Sequence, residues 1–230
     1  MATEMTSHKP VYVWEAPVRL WHWVMAIAMV VLAVTGYFIG SPLPSGPGEA
    51  SDHYLLGYIR FVHFAAAYVF AIFLLVRIYW VFVGNKFARE IFVVPFLMLK
   101  PSWWGGLIDQ GLYYAFLKKE ARSYQGHNPL AQAAMFFMYL AGSVFMIVTG
   151  FALYGEGTGM GTWQYTLFTS WVMPLLGQSQ AVHTWHHLGM WYLLLFTMIH
   201  IYLANRQDIM SDATIVSTMI NGIRMFKRER

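Results

Sequence analysis

Four stretches of this chain, residues 20–39, 57–83, 131–154 and 185–204, are each long and apolar enough to cross a bilayer. A helix of about 20 apolar residues spans the hydrocarbon. Lipid offers the backbone no hydrogen-bond partners, so a continuous span has to be helical. The pattern predicts an all-α membrane protein, a bundle of four transmembrane helices, with residues 1–230 as a single integral-membrane domain. Composition supports this. The chain is 58% hydrophobic and only 11% charged, against about a quarter charged in soluble domains, too little to solvate a closed surface.

Two other apolar stretches, 91–99 and 163–176, are shortened or broken by Pro95 and Pro174. Their aromatic content places them in the membrane interface. Residues 84–129 are too many for a structureless connection, which predicts a surface helix near 102–117. The N-terminal segment is polar, carries Glu4 and Glu15, and lacks a small-residue cleavage site after the apolar run, so the first span is expected to stay.

Orientation follows from charge. Of the fifteen lysines and arginines, only Arg60 and Arg77 lie within a span. The rest precede span one, lie between spans two and three, or follow span four, while loops 41–56 and 155–184 contain none. Excess positive charge marks the cytoplasmic side, so both termini are expected there. The net charge of +4 sits at the ends of apolar runs rather than on one stripe, which argues against nucleic acid. With no cysteine, disulfides, thiolate zinc sites, cysteine-held iron–sulfur clusters and c-type haem attachment are excluded.

Three spans contain histidine: His22 in the first, His63 in the second, and His186, His187 and His200 in the fourth. An ionisable ring in hydrocarbon is a functional candidate, the plainer alternative being a hydrogen bond between helices. His186 and His200 are fourteen residues apart, close to four turns, so they share a helix face about 21 Å apart along the axis. Topology puts His63 level with His186 near the outer surface, and His22 level with His200 near the inner one. Two histidines at each of two levels are the ligand set of a bis-histidine dihaem cytochrome b, whose irons have no open position and can only pass electrons.

Arg77, fourteen residues after His63, falls at the inner level, where it would either face a haem propionate or snorkel to the cytoplasm. Gly36, fourteen after His22, would let a porphyrin approach the outer level closely. His183, His186 and His187 could be read as a helical metal site, but His183 and His187 lack the fourteen-residue partner, so His187 reads as interfacial. His8, His53 and His127 are expected in solvent-facing loops. The stretch 155–161, GEGTGMG, has the glycines of a phosphate loop without its lysine and reads as a flexible outer loop.

The segments YVWEAPVRLWHW, GYIRFVHF, GHNPLAQAAMFF, VFMIVTGFALYGE and HTWHHLGMW resemble the b-type cytochrome subunit of membrane-bound nickel–iron hydrogenases. The likeness extends from about Val11 to Phe226. It implies a multi-pass subunit of the bacterial cytoplasmic (inner) membrane, not itself the enzyme. Such a subunit anchors the hydrogenase, its iron–sulfur small subunit and its large subunit, on the periplasmic face. It carries electrons through two b haems to quinone. The family's ligand motifs fall on His22, His63, His186 and His200, the residues that spacing had selected. The family's acidic pair after the arginine closing span four is Gln207-Asp208 here, which weakens any role of position 207 in quinone protonation. Glu15, Glu90 and Asp208 are candidate proton donors, although surface carboxylates are mostly just solvated. Trp163, Trp171 and Leu175 are candidate partner contacts. Rival readings are the cytochrome b of another respiratory complex such as formate dehydrogenase, a histidine-lined transporter, and a passive anchor.

Overall fold

The computed structural model describes residues 8–44, 49, 53–120, 122, 124–211 and 213–227. Four long helices carry the fold. They are α1 (Ala16–Gly40), α2 (Leu55–Val83), a 30-residue rod spanning Pro129–Thr158, and α9 (Ser179–Met210). All four are long and apolar enough to cross a membrane. Along α1, Val18, Trp21, Met25 and Ala28 are buried while Leu20, Ile27, Val30 and Val34 are exposed. A helix apolar on its outer face as well as its inner one belongs in lipid.

Each helix outruns its predicted span, α9 most of all, with 32 residues against the twenty positions 185–204. Hydropathy registers only the part in hydrocarbon, whereas the helix continues through polar turns at both ends. The third rod consists of α6 (Pro129–Ala133), a π-helical stretch (Ala134–Leu140) and α7 (Ala141–Thr158). Between the long helices lie α3 (Lys86–Arg89), α4 (Val94–Leu97) and α5 (Pro101–Tyr114), then a π-helical turn (Tyr165–Thr169) leading into α8 (Ser170–Leu176), and α10 (Thr218–Asn221) after α9. The helix α5 matches the surface helix expected near 102–117.

Packing divides the chain into two compact units. The first comprises Met1–His22, Val76–Met138 and Phe196–Arg230. Its core gathers Val13, Trp14, Val18, Phe87 and Ala88. Asn85 organises this corner. Its side chain caps α3 by accepting from the Phe87 and Ala88 amides at 3.0 Å and donates to the Val13 carbonyl at 2.9 Å. Glu15 accepts from the Asn85 amide and from Trp80 Nε1, both at 2.9 Å.

The same unit holds a two-stranded antiparallel ribbon, β1 (His8–Tyr12) with β2 (Ile223–Lys227). The fold is helical as expected, with this ribbon added to it; the loop placement of His8 is corrected, since His8 pairs in register with Lys227. The pairing joins segments more than 200 residues apart, so no local pattern announces it. Arg224 of β2 is buried and donates to the carbonyls of Gln125 and Gly126 at 3.0 and 2.9 Å.

The second unit comprises Trp23–Leu75 and Tyr139–Leu195. Its core centres on Ala152, Val172 and Val182. Thr169 donates to the Ala152 carbonyl at 2.8 Å. At Gly155 a Cβ would lie 2.7 Å from the Tyr165 amide nitrogen, so glycine permits the close approach. The GEGTGMG stretch is therefore not wholly a loop. It stays helical through Thr158 and turns at Gly159 and Gly161, both with positive φ.

Candidate functional site

His22 and His200 both belong to the first unit. Their rings are 6.3 Å apart between centroids. A metal ion between two imidazoles requires about 2 Å per metal–nitrogen bond plus about 1.1 Å from each nitrogen to its ring centre, about 6.2 Å in all. The rings thus stand near the separation that one shared ion would require. Phe196, one turn before His200, stacks on its ring at 5.7 Å with an 18° interplanar angle and helps to set its orientation.

Arg77 also lies in the first unit and is only 2% exposed, so it does not snorkel. Its guanidinium sits over the rings of Trp21 at 5.3 Å and Phe92 at 5.1 Å and donates to the Ala88 carbonyl at 2.7 Å. The cation is thereby held beside the residue preceding His22.

His63 and His186 belong to the second unit and line one cavity of about 640 Å³. Its walls are apolar, with Met29, Leu32, Phe64 and Phe151 among them. Among the polar residues of the lining, Arg60 lies three residues before His63 on α2, while Gln180 and His183 precede His186 and His187 follows it on α9. An apolar enclosure with a few polar groups is the form of a cofactor pocket.

Each histidine there leans on a threonine. His63 Nδ1 lies 2.8 Å from Thr35 Oγ1, and His186 Nδ1 lies 2.8 Å from Thr149 Oγ1. A glycine follows each threonine. A Cβ on Gly36 would meet His63 Cε1 at 3.2 Å, and one on Gly150 would meet His186 Cε1 at 3.2 Å. Gly36 therefore gives room to a histidine ring, which refines the expectation that it admits a porphyrin. Thr35, Thr149, Gly150 and Arg60 were missed from sequence. The signal was present, as Val-Thr-Gly occurs at 34–36 and again at 148–150.

The remaining sequence candidates have structural partners. His183 lies with Nδ1 3.0 Å from the Ser179 carbonyl, and His187 packs against Gly40. Among the described residues no three histidine, aspartate or glutamate side chains gather as a bare metal site would need. His53 is exposed, but His127 is not the solvent-facing residue expected. It is part-buried, packs on Trp14 at 4.8 Å, and binds Glu90 Oε2 through its amide at 2.8 Å and Nδ1 at 3.2 Å. The three candidate proton donors are likewise engaged. Glu15 and Glu90 hold the contacts just given, and Asp208 Oδ1 accepts from the Val216 amide at 2.9 Å. Gln207 lies 3.5 Å from the Tyr114 hydroxyl.

Residues 13–222 match the family described as prokaryotic cytochrome b561. This chain belongs to the prokaryotic cytochrome b561 family. It is 61% identical over 220 residues to the "Probable Ni/Fe-hydrogenase B-type cytochrome subunit" of Azotobacter chroococcum mcd 1, covering 96% of this chain and 90% of that one. Its likeness to the protein of the same description from Cupriavidus necator is 58% over 221 residues, 96% and 89% of the two chains. The "Probable Ni/Fe-hydrogenase 1 B-type cytochrome subunit" of Escherichia coli (strain K12) is 51% identical over 222 residues, 94% and 91% of the two. A cytochrome b561 binds haem b. The residues here suit that group: paired imidazoles, an apolar enclosure, and arginines, the buried Arg77 and the cavity-lining Arg60, of the kind that meets carboxylates.

Proposed function

We propose that this chain anchors a nickel–iron hydrogenase to the bacterial cytoplasmic membrane and passes its electrons to membrane quinone. It would hold two b haems, one between His63 and His186 near the periplasmic face and one between His22 and His200 near the cytoplasmic face. The observation that carries the reading is the histidine geometry: rings 6.3 Å apart in one pair and a shared cavity of about 640 Å³ for the other. Haem b at each position supplies one-electron redox chemistry.

The chain's own contribution is binding and exclusion. Two histidines per iron leave no open coordination position, so substrate has nowhere to bind and the subunit is not itself the enzyme. Arg77 would neutralise a propionate at the His22/His200 site. The apolar walls of the His63/His186 site would exclude water from a group held there, and that low polarity would tune its potential. Relatives bear the hydrogenase name, and this supports a partner made of an iron–sulfur small subunit and a large subunit. Its seat would be the lysine-free outer face, where Trp163, Trp171 and Leu175 are exposed. The positive loops and both termini would face the cytoplasm.

The test is a reduced-minus-oxidised spectrum of the purified complex with haem counted per chain. Two b haems are expected, with His63→Ala and His200→Ala each losing one. Hydrogen-driven quinone reduction should fall by orders of magnitude in both, while hydrogen oxidation with a soluble dye persists. A colourless protein would sink the reading. Copurification with a nickel-free dehydrogenase would replace the donor and leave the cytochrome.

A further inference from the structure

The two histidines of the second unit are held by a device that occurs twice. Thr35 Oγ1 lies 2.6 Å from the Val31 carbonyl and 2.8 Å from His63 Nδ1. Thr149 Oγ1 lies 2.8 Å from the Phe145 carbonyl and 2.8 Å from His186 Nδ1. A hydroxyl has one proton and two lone pairs, while a carbonyl can only accept. In each case the threonine proton therefore goes to the carbonyl four residues back, a familiar arrangement in helices. The oxygen is then left as an acceptor, and the proton of the second bond must come from the histidine. The network thus assigns both rings the tautomer with hydrogen on Nδ1 and a bare lone pair on Nε2.

That tautomer is the one an axial ligand requires. We infer that Thr35 and Thr149 are matched positioning residues for the iron held by His63 and His186, an inference that rests on the dihaem reading above. Each fixes which nitrogen faces the metal, and Gly36 and Gly150 clear the space that the held rings occupy. A hydrogen bond from Nδ1 also raises the basicity of the other nitrogen. More basic ligands favour the oxidised iron, so the pair lowers this haem's potential. Both threonines act on one haem. Neither is in the first unit, where His22 and His200 lie.

The experiment is a redox titration of the purified, haem-loaded complex, followed optically and by the low-spin ferric resonance, for Thr35→Val, Thr149→Val and the corresponding serine variants. Valine keeps the shape and removes the acceptor; serine restores it. Each valine variant should raise the potential of one haem, the same haem in both. A tenfold loss of preference for the ferric state reads as about 59 mV for one electron. Serine should return the wild-type value, and the second haem should not move. Loss of that haem in the valine variants with retention in the serine ones also supports the inference.

Unchanged potentials and resonances in both valine variants would overturn it, as would effects on different haems, or haem loss in valine and serine variants alike. His63→Ala in the same preparation separates the two levels. If it removes a haem that ignores both threonines, only the positioning role fails. If the wild type holds no such haem, the dihaem reading fails with it.

Discussion

Gly36 and Gly150 show how little space separates a functional side chain from its support. At either position a Cβ would sit 3.2 Å from a histidine Cε1, and tight packing lets a single methylene be felt. Gly36→Val and Gly150→Val should each displace a ring and lower the haem count by one per chain relative to the unsubstituted protein, read from the pyridine haemochrome. Gly57 is the control. It lies on the same helix as His63, with nothing within 4 Å of its Cβ position. Gly57→Ala should leave the count unchanged and favour the helix by up to about 1 kcal/mol.

Arg77 teaches the same lesson from the opposite side. Its position fourteen residues after His63 was legible in the sequence, but two fates stayed open. Burial between Trp21 and Phe92 closed one of them, because a snorkelling side chain would have reached water.

Among the elements, short pieces outside the spans carry distinct duties. Asn85 is the N-cap of the four-residue helix α3 and also ties it to Val13. Asn85→Ala removes the cap and should destabilise the fold by about 1 kcal/mol, with more lost because the Val13 carbonyl loses its donor. Thermal unfolding in detergent would show this as a lower midpoint with haem content unchanged at low temperature.

The surface helix α5 offers a pH test. The Lys118 ammonium hydrogen-bonds Asp109 and, with Arg122 at 3.5 Å, holds its carboxyl below the usual aspartate range. A carboxyl depressed in the folded state adds stability above the unfolded value of about 3.9, and that stability disappears as pH falls through the folded value. The midpoint difference between wild type and Asp109→Asn should therefore narrow below about pH 4 and shrink in high salt at neutral pH. A difference that is constant from pH 3 to 7 would show that the ion pair contributes nothing.

For the molecule as a whole, β1 and β2 bring the two ends of the chain together. Four spans would put the first and last segments on one side of the membrane, which permits such a pairing. On the charge pattern we propose that this side is the cytoplasm. Fusion of a reporter active only in the cytoplasm should give signal at either terminus, and none when it is inserted after Ser41. Signal from the Ser41 insertion would invert the orientation and with it the proposed seat of the partner.

The four spans and the histidine pairing were legible because they depend on length in apolar residues, on fourteen positions making four turns within one helix, and on the alternating direction of successive spans. Such regularities survive without any knowledge of neighbours. The ribbon between segments over 200 residues apart, the engagement of His127 by Glu90, and the threonines behind His63 and His186 were not legible, because each depends on which side chains from other elements arrive beside it. The amino-acid order alone determined that this chain has four spans fit for a membrane and which of its histidines come together in pairs. Folding decided which ring nitrogen stays free, since a proton's place on an imidazole is set by the oxygen that packing brings against it.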